Sequence, residues 1–347
     1  MDNKRAMIAM SGGVDSSVAA YLAMQAGYEC IGATMQLLPD SSTEDALQVT
    51  QKLGIPFHTF HMIRQFQQTV MDAFTQAYEQ GLTPNPCILC NRELKFGLLL
   101  QKALELGSGH VVTGHYARIE HDAATGRYLL KKAPDAAKDQ TYFLYSLTQH
   151  QLSHTLFPLG ELSKAQVRQI AQEQDFLNAR KRDSQDICFI PDGDYPAFLR
   201  RYTGKEYPQG SFLDLQGNVV GTHQGAVNYT LGQRKGLGIA LGAPAYVCGK
   251  DMAANTVTVG PDAALYRTAL MAAQVNWISI PALTSPMRIA AKARSRMQEQ
   301  PATVYPLDDG SVRVEFDQPQ RALTPGQAVV FYHGDTVVGG GTITHVL

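Results

Sequence analysis

No apolar run in this 347-residue chain approaches the length of a membrane span, which excludes a protein built on transmembrane helices. No targeting segment is expected either. Met1-Asp2-Asn3-Lys4-Arg5 leads straight into a core strand, with neither an apolar signal core nor an acid-poor presequence, so a cytoplasmic protein with no membrane partner is expected. There is no excess of charge of one sign: 30 Lys and Arg face 31 Asp and Glu, a formal net charge of −1. A large nucleic-acid partner would therefore need a local basic face. Such clusters occur at Lys131-Lys132, Arg180-Lys181-Arg182, Arg200-Arg201, Arg234-Lys235 and Lys292/Arg294/Arg296, although each alone reads as solvated surface. Cysteine is too sparse for a disulfide framework. The five at 30, 87, 90, 188 and 248 read as buried, catalytic or metal-binding thiols in a reducing compartment. Helical repeats and low-complexity segments are absent.

What is present divides the chain into two or three domains. The first half alternates strand and helix signals: strand 6–10, helix 16–26, strand 28–36, a capped helix ending at Leu53-Gly54, strand 55–62, helix 64–80, helix 92–106 and strand 110–116. This predicts an α/β nucleotide-binding domain on a doubly wound parallel sheet over residues 1–203. Its ligands belong beyond the carboxyl ends of the strands, where Ser11, Met35 and Gly114-His115 fall. Glycine-punctuated short strands then predict a central β-rich domain over 204–265. Strands at 272–278, 288–296, 312–316, 328–332 and 336–343 predict a C-terminal β-barrel over 266–347.

Between the first strand and first helix lies Ser11-Gly12-Gly13-Val14-Asp15-Ser16-Ser17. Two glycines allow a sharp turn, and the hydroxyls and first free N–H groups of the helix present donors to an anion. No lysine follows, which separates the loop from the Walker A pattern. It resembles the pyrophosphate-binding loop of the N-type ATP pyrophosphatases, which transfer AMP to an acceptor oxygen.

Cys87-Ile88-Leu89-Cys90 is a C-x-x-C that by itself suits a redox pair, half a zinc site or iron–sulfur ligation, and no second C-x-x-C completes a four-cysteine zinc site. Cys188 has polar flanks and a basic approach that favours thiolate, the nucleophilic form. Cys30 and Cys248 alternate into apolar strands and read as packing residues. Lys138-Asp139-Gln140 and His115 are candidates for contact with a nucleotide substrate.

Taken in order, Ser11–Ser17, Thr83-Pro84-Asn85-Pro86, Cys90-Asn91, Lys95-Phe96-Gly97, Thr113-Gly114-His115-Tyr116-Ala117, Lys138-Asp139-Gln140, Cys188-Phe189-Ile190, Tyr229–Arg234 and Thr324-Pro325-Gly326-Gln327 resemble one family over nearly the whole chain: the tRNA-specific 2-thiouridylases of the bacterial MnmA or TrmU type. The resemblance implies ATP-dependent replacement of the wobble uridine's C2 oxygen by sulfur. ATP would lie on Ala9, Met10, Ser11, Gly12, Gly13, Val14, Asp15 and Ser16, with Met35 and Gly114 around the adenosine and Asp15 assisting Mg²⁺. Cys188 would carry persulfide sulfur delivered by a carrier protein, and Cys90 would assist, ending in a Cys90–Cys188 disulfide that a reductant resets. The tRNA would be handled by Asn85, Pro86, Cys87, His115, Lys138, Asp139, Gln140, Arg294, Ser295 and Gln327. Two positions depart from the pattern. Ser295 replaces a stacking tyrosine of some members, and Cys87 stands where well-known members carry Asp. Cys87, Cys90 and Cys188 could then hold an iron–sulfur cluster with one iron open to sulfide, a second route beside the persulfide relay. Competing readings are another ATP pyrophosphatase-type ligase and a noncatalytic tRNA-binding protein.

Overall fold

The computed structural model describes residues 4–181 and 187–347. Near the amino terminus, Ala6, Ile8 and Met10 face one core cluster while Met7 faces another, as period-2 alternation requires of a strand buried on both sides. The strands β1 (Arg5–Ala9), β2 (Glu29–Gln36), β3 (Phe57–His61), β4 (His110–Val112) and β7 (Thr155–Leu156) form a parallel sheet in the order β3-β2-β1-β4-β7. Between them in sequence, β5 (Ala117–Asp122) and β6 (Arg127–Lys132) form an antiparallel hairpin outside this sheet. Helices Val14–Gln25 and Lys164–Glu173 cover one face, and Leu99–Glu105 covers the other. Strand order runs outward from β1 in one direction through β2 and β3 and in the other through β4 and β7, and this switch point between β1 and β4 opens a crevice at their carboxyl ends.

The doubly wound nucleotide-binding fold followed by β-rich units is as expected, with local corrections. The helix expected over 92–106 begins at Pro86, because Asn85 caps it and Pro86 occupies its first turn, where a missing N–H costs nothing. Cys87 and Cys90 therefore sit on this helix, ahead of its expected start. Strand 110–116 is only His110–Val112, and the strand expected to reach Arg296 ends at Lys292. Arg294 and Arg296 lie in the turn beyond it, so the alternate-residue basic stripe does not form.

The central unit is a four-stranded sheet in which Tyr246–Asp251, Thr256–Gly260, Gly210–Leu213 and Val219–His223 are neighbours in that order. At the carboxyl end, Tyr266–Trp277, Val312–Arg321, Gln300–Pro306, Met287–Lys292, Ala328–His333 and Thr336–Val346 close into a six-stranded barrel, the first strand pairing with the last. Closure removes exposed sheet edges. The β5-β6 hairpin of the first unit joins this barrel through Lys131 opposite Thr336, supported by Arg118 to Asp335 at 2.7 Å and Arg127 Nε donating to the Ile278 carbonyl at 2.8 Å. One apolar cluster, including Tyr142, Leu144, Ile278, Val330 and Tyr332, fills the junction. Among the described residues no helix is long and apolar enough to cross a membrane.

Candidate active site

A cleft of about 690 Å³ opens at the β1/β4 crevice. Its wall includes Ala9, Met10, Ser11, Gly13, Val14, Asp15, Ser16, Met35 and Gly114, together with Pro86, Cys87, Cys90, His115, Lys138, Gln140 and Cys188. The phosphate-loop residues and the three cysteines, scattered over 180 positions of sequence, thus face one space.

The loop is held by its own hydroxyls. Ser16 Oγ donates to the Gly13 carbonyl at 3.0 Å and accepts from Ser11 N at 3.2 Å, and Ser17 Oγ donates to the same carbonyl at 3.0 Å. Gly12 has a φ of +72°, and a Cβ there would meet Asp45 Cβ at 2.8 Å. Asn178, buried and 161 residues from its partner Ser17, donates to Ser17 Oγ at 2.9 Å and to the Gly12 carbonyl at 3.0 Å. The Asp15 carboxylate is gripped by Lys164, whose Nζ lies 2.7 and 2.8 Å from its two oxygens, and receives the Tyr116 hydroxyl at 2.8 Å. Sequence reasoning missed both Asn178 and Lys164. Each acts across more than 140 residues, and neither belongs to a local pattern that marks phosphate chemistry.

Gly114 closes the loop from β4's side. A Cβ at this position would stand 2.7 Å from the Asp15 carbonyl carbon and 2.8 Å from Ser16 N. These are main-chain atoms, so the approach of the two segments requires glycine.

At the far end of the cleft the thiols share one electrostatic environment. Burial pushes Cys188 up to about 11, negative charge on Cys90 and on Cys87 adds to the rise, and Lys95 opposes it. Burial likewise raises Cys87 and Cys90, and Lys95 again opposes. Cys87 and Cys188 are exposed to the cleft while Cys90 is half-buried; protein surrounds the sulfurs even where a surface remains open. His115 is held neutral, its pKa driven well down by burial and then by Lys95. Lys95 Nζ can only donate, so His115 Nε2 accepts at 3.4 Å and Nδ1 carries the proton toward Thr113 Oγ1 at 2.7 Å.

Several residues assigned to tRNA contact are committed internally. Asn85 Oδ1 accepts from Cys87 N at 3.2 Å as a helix cap. Asp139 lies outside the cleft wall, accepting from Thr141 Oγ1 at 2.6 Å and Ala133 N at 3.1 Å, and Gln140 Oε1 accepts from Tyr116 N at 2.9 Å. Gln327 Nε2 donates to the Thr83 carbonyl at 2.7 Å, tying the barrel to the loop ahead of the C-x-x-C helix. Arg294 Nη2 donates to the carbonyls of Ala322 at 2.6 Å and Leu231 at 3.3 Å and to Thr324 Oγ1, which joins the barrel to the central unit. Neither Gln327, Arg294 nor Ser295 lines the cleft. Arg294→Ala should therefore cost about 2–3 kcal/mol of stability, the loss of charged hydrogen bonds within the barrel and of the one to the Leu231 carbonyl of the central unit. A lowered thermal midpoint with little change in the salt dependence of tRNA binding is the expected result; a flatter salt dependence in an equally stable protein would return Arg294 to the tRNA surface. Of the basic approach to Cys188, Lys181 pairs with Asp45, whereas Arg182 lies outside the described residues.

A glycine-rich loop at a helix amino terminus, set at the switch point of a parallel sheet, defines a nucleotide-binding protein of the pyrophosphate-loop class. Residues 4–192 match the family described as "tRNA methyl transferase HUP domain", 196–261 the "tRNA methyl transferase PRC-barrel domain" and 267–343 the "Aminomethyltransferase beta-barrel domain". The tRNA-specific 2-thiouridylase MnmA of Acetivibrio thermocellus is 50% identical, the match covering 99% of this chain and 100% of that protein. Its namesake in Heliobacterium modesticaldum is 51% identical over 98% of this chain and 92% of its own length. A solved 4-thiouridine synthetase–RNA complex with bound ATP shares 16% identity at a TM-score of 0.37, covering 58% of this chain and 50% of that one, too distant to weigh. The chain belongs to the tRNA-specific 2-thiouridylase family, and with it to the tRNA sulfurtransferases.

Proposed function

We propose that this protein uses ATP to replace the C2 oxygen of a wobble uridine in tRNA by sulfur. One observation carries the reading: the phosphate loop and the three thiols face one cleft, with Gly114 and His115 between them. The names of the relatives and the domain descriptions point to different group transfers, and thiols beside the loop favour sulfur.

ATP phosphates would rest on Ala9–Ser16, with Met35 and Gly114 flanking the adenosine. The uridine C2 oxygen attacks the α-phosphorus and expels pyrophosphate, which turns a poor leaving group, oxide, into a good one, AMP. A carrier protein's persulfide loads Cys188. The terminal sulfur attacks C2 and AMP departs. Cys90 thiolate then attacks the Cys188 sulfur, breaking the S–S bond to the nucleoside, so that the thiolated base leaves and a Cys90–Cys188 disulfide remains for a two-electron dithiol reductant. Pro86, Cys87, His115, Lys138 and Gln140 would bound the base pocket, while Asn85, Asp139, Arg294, Ser295 and Gln327 serve from behind it. Neutral, doubly engaged His115 shapes the pocket rather than supplying a proton.

Magnesium would arrive with ATP. Both oxygens of Asp15 already face Lys164, so Asp15 does not fit as its ligand. An iron–sulfur cluster needs three thiolates converging on one point. Among the described residues no three His, Cys, Asp or Glu side chains are arranged to hold a metal ion.

The test combines the protein with ATP, unmodified tRNA and a persulfide donor. AMP that forms only with tRNA, in step with a sulfur-containing nucleoside, is expected. AMP formed without tRNA on addition of ammonia would indicate a ligase, and neither product would indicate a noncatalytic binder.

A further inference from the structure

The helix that carries the C-x-x-C does not keep α geometry. Over Cys90–Leu98 it runs in wide π turns. In an α-helix, residues five apart point about 140° away from one another, whereas a turn closed by an i to i+5 bond returns them to one face. Lys95 is five residues beyond Cys90. The wide turn therefore carries its ammonium round to the side of the sulfur, and both line the cleft.

The ammonium is fixed there. Lys95 Nζ donates to Asn91 Oδ1 at 2.9 Å and to His115 Nε2 at 3.4 Å, and Asn91, only 3% exposed, is anchored by its Nδ2 to the Phe143 carbonyl at 3.0 Å. No carboxylate among the described residues pairs with Lys95. Around it stand Cys87 and Cys90 on its own helix, neutral His115 after β4, Cys188 on the facing segment, and Lys138, Lys181 and the Lys164-paired Asp15 elsewhere on the cleft wall. Its charge opposes the effect of burial at all three thiols.

We propose that Lys95 is a positioning residue of the sulfur site: its ammonium, swung onto the thiol face by the wide turn and locked by Asn91 and His115, is the fixed counter-charge that favours the thiolate of Cys90 against the effect of its burial. This rests on the reading of Cys90 as a nucleophile. Thiolate is the attacking form, so burial alone would leave Cys90 protonated and slow at neutral pH.

Alkylation of the reduced full-length protein by iodoacetamide tests this without ATP or tRNA, with each cysteine followed by its peptide mass between about pH 7 and 11.5. Lys95→Met should slow Cys90 alkylation at neutral pH about tenfold, the difference vanishing where the thiol is fully ionised, a midpoint moved up by about one unit. Lys95→Arg, which keeps the charge, should hold the midpoint near that of the unaltered protein. Should Lys95→Met fail to fold, Lys95→Gln, which keeps a donor toward Asn91, gives the same comparison. An unchanged midpoint in the folded Met or Gln variant would overturn the proposal, as would a rate altered equally at every pH, which marks a structural role. Because sulfur transfer is not assayed, such a failure leaves the proposed function standing; a normal Cys90 profile in a protein that makes no thiouridine would sink that function alone.

Discussion

Replacing Cys188 or Cys90 by alanine should lower tRNA thiolation by about a thousandfold or more, since each removes a sulfur that must form and break a covalent bond. Both side chains lie on the cleft wall beside the phosphate loop; Cys188 is exposed, and Cys90 only borders an apolar cluster, where the loss of one sulfur is small, so the fold should survive. The loss should be confined to the sulfur half of the reaction. Pyrophosphate release on addition of tRNA and ATP, measured in a single turnover, should persist in both variants, because adenylation needs the loop and the uridine oxygen but no thiol. Thiolation by Cys188→Ala at the normal rate with the same persulfide donor would remove Cys188 from the reaction. Loss of pyrophosphate release along with thiolation would mean that the thiols help to build the adenylation site.

Gly114→Ala should weaken ATP binding by about a hundredfold, a larger effect than one methyl group usually has. The added carbon would lie 2.7 Å from the carbonyl carbon and 2.9 Å from the Cβ of Asp15, and 2.8 Å from the Ser16 nitrogen. Two of these are main-chain atoms that no rotamer change can move aside. The first turn of helix Val14–Gln25 must shift, and with it the N–H groups aimed at the phosphates and the carboxylate that Lys164 and Tyr116 hold. Equilibrium dialysis with ATP measures the loss directly. The alkylation profile of Cys90 should not change, which separates a distorted loop from an unfolded domain. Unaltered ATP affinity would show that the phosphates do not rest on this turn.

The nucleotide fold was legible because its signals are local. Ala6–Met10 is an unbroken apolar run of the kind that suits a strand covered on both faces, and the glycines and serines that follow it mark a phosphate turn whatever the rest of the chain does. The six barrel strands were only partly legible. Gln300–Pro306 was missed because proline interrupts its pattern, and the strand ending at Lys292 was overextended because alternation continues into the turn. The hairpin β5-β6 joins a sheet built mostly from residues more than 130 positions away, and no periodicity announces such a partner.

By itself the sequence determined which chemical groups the protein owns: a phosphate loop without a lysine at its end, a C-x-x-C, a separate cysteine, and glycines where backbones must come close. Tertiary structure decided what those groups face. Asp15 meets Lys164 rather than open solvent, Arg294 and Gln327 each spend a donor on a carbonyl of another unit, and the wide turn at Cys90 brings Lys95 round to the thiols. The physical reason is one of range. Turns, caps and alternation are set by neighbours a few residues apart, whereas the charge beside a thiol or a carboxylate depends on which distant segments the buried apolar faces bring together.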